Sequence, residues 1–476
     1  MYVEKLRTVR LSVLLIIIAV CCGMRAADTG RVRKASGRGG RCYMYRLTLT
    51  DKAGTPYTLD CPQAYLSARS LERRRRQGIA VDSTDLPVSP VYIAAIERAG
   101  ARVVSRSRWN NSVLVRGDDE RLLQSLDTLS FVSSARKVWT TPDTLKSPVR
   151  RERLSNVIHK WDTIAGDRYG HALEQIRMLG GCRLHDAGFT GEGLMITVMD
   201  GGFMNADCMQ AFAATSFAGS ADFVYPPSDD IFSEMSHGTM VLSVMAANLP
   251  GVYVGTAPDA VYLLLRCEDD KSESPAEEDY WAAAAEYADS MGTDIINSSL
   301  GFHAFDDASA NYGYRDQDGM TAMISRMASL LAGKGIVMVC SAGNDGMETW
   351  KKINFPADAR DILTVGAVSG DGVNASFSAV GPTADGRVKP DVMAMGSPAA
   401  VISGRGAPSR DVGTSFSAPM IAGLTACLWQ ALPSLTAREI IALVRRSGDN
   451  YATPDNIRGY GVPDFGRAYV MGNGEW

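Results

Sequence analysis

Histidine is scarce, with five in 476 residues. The nine cysteines are scattered without a C-x-x-C pair or a Cys/His ligand spacing, which excludes a recognisable zinc site. Strong charge of either sign is also missing. A formal net charge of −4 leaves no footprint for nucleic acid, and none is expected as a partner. The one apolar run that stands out lies at the N-terminus. Lys5, Arg7 and Arg10 precede residues 11–20, a stretch too short to span a bilayer but shaped like the core of an export signal. Cleavage is expected near Ala26 or Ala27. Cys21 and Cys22 leave lipid attachment open, although Val20 suits it badly. Export is expected, with periplasm, cell surface and medium all open as destinations.

What is present is an ordinary globular composition, 46% hydrophobic and 21% charged, in a chain long enough for more than one domain. Residues 1–27 read as the signal and 28–41, rich in Gly, Arg and Ser, as a linker. Residues 42–142 form a small α+β unit. Strands are expected at 43–49, 101–105, 112–115 and from 131, and helices at 62–77, 91–99 and 120–126. The run Arg73-Arg74-Arg75-Arg76 reads as a solvated helix face rather than a processing site. Residues 143–168 are charged and aperiodic, a linker where cleavage between domains is expected. From 169 to 476 near-continuous apolar runs (194–199, 261–265, 294–297, 336–340) alternate with helical stretches (237–247, 276–291, 319–334). That is α/β: a mostly parallel sheet with helices on both faces and its site at the carboxyl ends of the strands.

Four short segments carry chemistry. The first buried strand ends in Asp200-Gly201-Gly202, which puts a carboxylate where such sheets bind ligands. His237, in Ser236-His237-Gly238-Thr239, opens an apolar helix. Asn344, in Ser341-Ala342-Gly343-Asn344, supplies an amide at another strand end. Gly413-Thr414-Ser415 runs into an apolar helix, so Ser415 sits where unpaired N–H groups favour negative charge. A nucleophilic serine needs that setting, because an oxyanion develops beside it.

In this order the sequence resembles the subtilisin-like serine proteases, whose triad runs Asp, His, Ser. Further matching segments are Gly255-Thr256-Ala257-Pro258, Asn297-Ser298-Ser299-Leu300-Gly301, Val365-Gly366-Ala367-Val368 and Lys389-Pro390-Asp391-Val392, and the likeness covers about residues 169–470. It implies Ser415 as nucleophile, His237 as general base and acid, Asp200 as its orienting carboxylate and Asn344 as oxyanion donor. Peptide would add as a strand along Ser298, Ser299, Leu300 and Gly301, with Ala342 and Gly343 walling the primary pocket and its far end near Asn354. Asp345 is a candidate for the pocket mouth. The tract Glu268-Asp269-Asp270, with Glu273, Glu277, Glu278 and Asp279, reads as a solvated loop, with a border of the peptide cleft as the alternative. One departure stands out: Gly201 occupies a position where the family often has Ser or Thr.

The resemblance also implies that 42–142 is a propeptide acting in cis, with peptide or protein substrates as the only other partners and a monomer as the working form. No cofactor is implied; structural calcium is common in the family, but no ligand set is assignable. The catalytic unit would close near residues 460–464 without a further sorting domain. By local separation, Cys182 with Cys208 and Cys42 with Cys61 are candidate disulfides, while Cys340 and Cys427 sit in apolar runs as buried thiols. An α/β-hydrolase esterase would need Gly-x-Ser-x-Gly and the order Ser, acid, His, which is absent, and no Gly-x-Gly-x-x-Gly follows the first strand for a dinucleotide. A catalytically silent scaffold on the same fold would show a broken constellation, and all four residues are in place.

Overall fold

The computed structural model describes residues 41–141, 157, 161, 167–226, 228 and 230–474. The expected export signal, and most of the 28–41 and 143–168 linkers, lie outside them. In the first part, β1 (Tyr43–Leu49), α1 (Ala68–Arg76), α2 (Pro90–Arg98), β2 (Arg102–Ser107), β3 (Ser112–Gly117), α3 (Glu120–Ser125) and β4 (Val132–Thr140) follow in turn. The strands make an antiparallel sheet in the order β2-β3-β1-β4. Alternation along β1 feeds two cores. Tyr45, Leu47 and Leu49 pack with Ile93, Ile96 and Leu123, whereas Met44 joins Trp109, Leu114 and Val138 in a cluster that also contains Trp281. The helix expected at 62–77 is divided: a 3₁₀ turn, Pro62–Ala64, comes first, and α1 starts afresh behind Ser67, whose side chain accepts from the Ser70 N–H.

The second part opens with α4 (Leu173–Met178) and α5 (Gly181–Asp186), then β5 (Met195–Asp200), β6 (Ser216–Asp222) and α6 (His237–Ala246). A short pair, β7 (Asn248–Leu249) and β8 (Tyr253–Val254), leads to β9 (Val261–Arg266), α7 (Ala276–Met291), β10 (Ile295–Ser298) and α8 (Met323–Leu330). Then come β11 (Val337–Ser341), β12 (Leu363–Ser369), β13 (Val392–Ser397), the hairpin β14 (Ala399–Ile402) and β15 (Pro408–Asp411), and helices α9 (Thr414–Ala431), α10 (Ala437–Arg446) and α11 (Phe465–Gly472). Seven strands lie in the order β13-β12-β11-β10-β5-β9-β6, every neighbour parallel.

Both faces are covered, as the fold class expected. Ile196, Val198, Val337 and Val339 face the α9 side, and Met199, Ile296, Met338 and Cys340 face α7 and α8. The chain leaves β5 for the sheet edge, returns as β9 on one side of it, then crosses to β10 on the other. That reversal opens a crevice at the carboxyl ends of β5 and β10.

Two readings of charge are corrected. Arg73 and Arg74 are not a solvated face: both are 1% exposed. Their guanidinium groups meet Asp289 of α7 at 2.5 and 2.9 Å, Arg108 meets the same carboxylate at 2.6 Å, and Arg46 meets Asp279 at 2.6 Å. Likewise Glu277, Glu278 and Asp279 are buried in α7 rather than in a solvated loop. Neither candidate disulfide forms. Cys42 Sγ accepts from Arg116 at 2.9 Å, Cys61 Sγ accepts from Gln63 at 3.1 Å, and Cys208 Sγ donates to Asn205 O at 3.3 Å. Cys340 and Cys427 are buried thiols, as expected.

Candidate active site

Asp200 is the last residue of β5 and fully buried. Its Oδ1 accepts from the Gly201 N–H at 2.8 Å, and its two oxygens lie 2.9 and 3.0 Å from His237 Nδ1. His237 opens α6. The helix can come this close because residue 238 has no side chain: a Cβ there would stand 2.4 Å from Gly202 O and 2.9 Å from Asp200 Cβ. With Nδ1 donating to the carboxylate, Nε2 is left as the acceptor. Burial pulls the imidazole pKa down. The Asp200 carboxylate, its hydrogen bond, and Glu268 and Asp411 farther off outweigh that and hold it above the ordinary range.

The other half of the site is the start of α9. Ser415 is its second residue, 9% exposed. The His237 ring lies 5.8 Å from that of Phe416, which brings the N-termini of α6 and α9 together. Ser415 Oγ donates to Ser299 O at 3.3 Å, and Ser299 Oγ donates back to Ser415 O at 2.8 Å. Among the described residues no hydrogen bond joins Ser415 to His237; such bonds often tighten only around substrate. Asn344 lies across the same helix end. Its Oδ1 accepts from the Thr414 N–H at 3.0 Å and Thr414 Oγ1 at 2.9 Å, which fixes the amide and leaves Nδ2 as a donor.

The six residues expected to hold substrate divide. Ser298 and Ala342 are buried with inward duties: Ser298 Oγ accepts from Trp281 Nε1 at 3.0 Å, and Ala342 O accepts from the Asn354 N–H at 2.9 Å. Leu300 is buried too, at 3% exposure. Ser299 touches Ser415 directly, and Gly301 and Gly343 flank Asn354, where added Cβ atoms would come within 2.9 and 2.8 Å of its side chain. Asn354 Nδ2 donates to Asp345 at 2.7 Å, so the Asp345 carboxylate is tied to the Asn354 amide.

Sequence reasoning missed Glu268, read as part of a solvated loop. It is half-buried two residues past the end of β9, and burial with the nearby Asp200 charge pushes its carboxyl up to about 7. The signal that could have found it was Gly201. A Cβ on that residue would stand 2.7 Å from Glu268 Oε2.

A carboxylate-held imidazole with a free acceptor nitrogen, a serine at a helix N-terminus and a fixed amide donor can together move a proton and hold an oxyanion, which is the chemistry of acyl transfer. Among the described residues no group of three or more His, Cys, Asp or Glu is placed to hold a metal ion.

The subtilase family model matches residues 191–461, and a model of the Peptidase S8 propeptide domain of Bacteroidota matches residues 44–156. Among curated relatives, Serine protease AprX of Bacillus subtilis (strain 168) is 28% identical over 303 residues, 57% of this chain and 65% of that protein. Subtilisin NAT of Bacillus subtilis subsp. natto is 28% identical over 260 residues, 54% of this chain and 61% of that protein. The chain thus spans less than two thirds of either relative's length. Among solved structures, the MycP3 protease from the type VII (ESX-3) secretion system has a TM-score of 0.52 at 21% identity, covering 66% of this chain and 92% of that one, a likeness of fold.

Proposed function

The chain belongs to the subtilase family, and from that premise we propose that it is an exported serine endopeptidase made as a self-processing zymogen. The observation that carries this reading is the Asp200–His237 pair, closed to 2.9 Å and set beside Ser415 at the start of α9. In the proposed cycle His237 Nε2 takes the Ser415 proton as Oγ attacks the peptide carbonyl, and Asp200 stabilises the imidazolium. The Asn344 amide and the Ser415 N–H hold the oxyanion. His237 then gives its proton to the leaving amine, and water releases the acyl group by the same route. Substrate backbone would lie along Ser299–Gly301, which supports cleavage within chains with modest dependence on sequence.

Residues 42–142 act as the propeptide in this reading, residues 143–168 as the segment where it is cut, and 169–476 as the catalytic domain. The match over 44–156 and the buried ion pairs on α7 support it. The positive, then apolar, N-terminus supports export.

Intact mass and N-terminal sequencing of the purified chain beside Ser415→Ala test the proposal. The natural chain should lose about residues 27–150, while Ser415→Ala, cleared of its signal only, keeps them. If both keep them and neither cuts casein, the protease reading fails. If both are trimmed alike, self-processing fails, and a fluorophosphonate that leaves Ser415 unlabelled would overturn the nucleophile as well.

A further inference from the structure

The β9 strand runs alongside β5 with Asp200 opposite Arg266, and the Cys267 N–H donates to Asp200 O at 3.0 Å. Glu268 is the next residue. Its carboxylate reaches back over the Asp200–Gly201 peptide into the space that a side chain at 201 would fill. A Cβ there would lie 2.7 Å from both Glu268 Oε2 and Met235 Sδ. The glycine and the carboxylate share one space, since a side chain at 201 would displace the Glu268 carboxylate, the Met235 sulfur or both.

No hydrogen bond or ion pair reaches the Glu268 carboxylate among the described residues. The Arg266 guanidinium two residues back is committed to Asp222 at 2.9 Å and Gly201 O at 3.0 Å, with Glu234 at 3.8 Å. Other charges around Glu268 and His237 include Asp200 on β5, Asp270 and Glu273 in the following loop, Glu277 of α7 and Asp411 at the end of β15, with Asp269 and the Lys271 ammonium in the same loop. Of the groups whose charge acts on Glu268, the one that can become cationic is the His237 imidazole.

We infer that Glu268 is a positioning residue for His237, a second carboxylate that stabilises the imidazolium and for which Gly201 makes room. In this reading it acts through the histidine. The charged form of Glu268 favours proton transfer from Ser415 to His237, but it also raises the pH at which free His237 becomes neutral and able to accept that proton. The mutual shifts of the two groups have this sense: His237 is raised by Glu268, and Glu268 is lowered by His237. The inference rests on the protease reading for its catalytic meaning, though not for the coupling itself.

The test separates the two. Five histidines make an imidazole NMR titration of full-length Ser415→Ala tractable, with and without Glu268→Gln. Removing the negative charge should lower the His237 pKa by about half to one unit, the size expected of one nearby charge at a partly wet boundary, and leave buried His185 unmoved. Gly201→Ser should shift it the same way, and the double variant should move no further than either single change. Glu268→Asp, which keeps the charge, should restore most of the shift. In the active chain, the acid limb of kcat/KM on an uncharged peptide should move down with the same variants while KM holds. An unmoved His237 titration overturns the inference whether or not the chain is a protease. A change confined to KM for peptides with basic residues also overturns it, because the charge would then serve the substrate. A shifted titration in a chain that cleaves nothing sustains the coupling and sinks only the protease reading.

Discussion

Replacing Asp289 by Asn should loosen the seam between the 42–141 unit and α7. Three guanidinium groups converge on that one carboxylate: Arg73 at 2.5 Å, Arg74 at 2.9 Å and Arg108 at 2.6 Å, with Asp289 fully buried. Asp85 neutralises Arg74 in part, at 3.0 Å, but among the described residues Arg73 has no second carboxylate in ion-pair contact. Breaking one buried pair costs about 3–5 kcal/mol, because the partner charge is left without compensation. At about 1.4 kcal/mol per decade, that is a factor of roughly 10² to 10³·⁵ in the opening equilibrium. The assay is hydrogen exchange on full-length Ser415→Ala protein, read at amides that bridge the seam. The Arg108 and Trp109 N–H groups donate to Glu286 at 2.7 and 3.1 Å, and the Ser67 N–H donates to Ser290 O at 2.9 Å. These amides should exchange at least a hundredfold faster in Asp289→Asn. Glu72→Gln, which removes the exposed partner of Arg75, serves as the control and should leave them unchanged. Acceleration below tenfold, or equal acceleration in both variants, would refute the argument that the buried ion cluster holds the seam.

Two further outcomes follow from the site. Asn344→Ala should cut kcat by about 10²–10³ with little change in KM, a magnitude established on subtilisin itself for loss of such a donor, and steady-state kinetics on a peptide anilide would read it. Gly238→Ala drives a methyl into Gly202 O and Asp200 Cβ. It should destabilise the chain by about 1–3 kcal/mol in denaturant unfolding and displace His237, abolishing most of the activity.

The parts of the fold that were legible in the sequence are those where local pattern decides. The apolar run before Asp200 became β5, and the helix expected at 276–291 is α7, with the same bounds. The helix expected at 319–334 narrowed to α8 because Asp318 caps a turn through the Met320 and Thr321 N–H groups, and Ala322 is still extended. What stayed hidden depends on partners far along the chain. Arg73 looks like any solvated arginine until Asp289, 216 residues later, is folded against it. Glu268 looked like loop charge for the same reason. The clue lay 67 residues earlier, in a glycine whose missing side chain had no local explanation.

The helix α7 carries two loads at once. Trp281 supports Ser298, next to the strand that reaches Ser415, while Glu278, Asp279, Glu286 and Asp289 face the arginines of the 42–141 unit. Any cut that frees that unit carries Arg46, Arg73, Arg74 and Arg108 away and leaves four carboxylates bare on one side of one helix. A neutral seam becomes an anionic surface. Recapture of the departed piece would then be steered by charge and weakened by salt, so the ionic strength of the surroundings would help set how reversible the separation is.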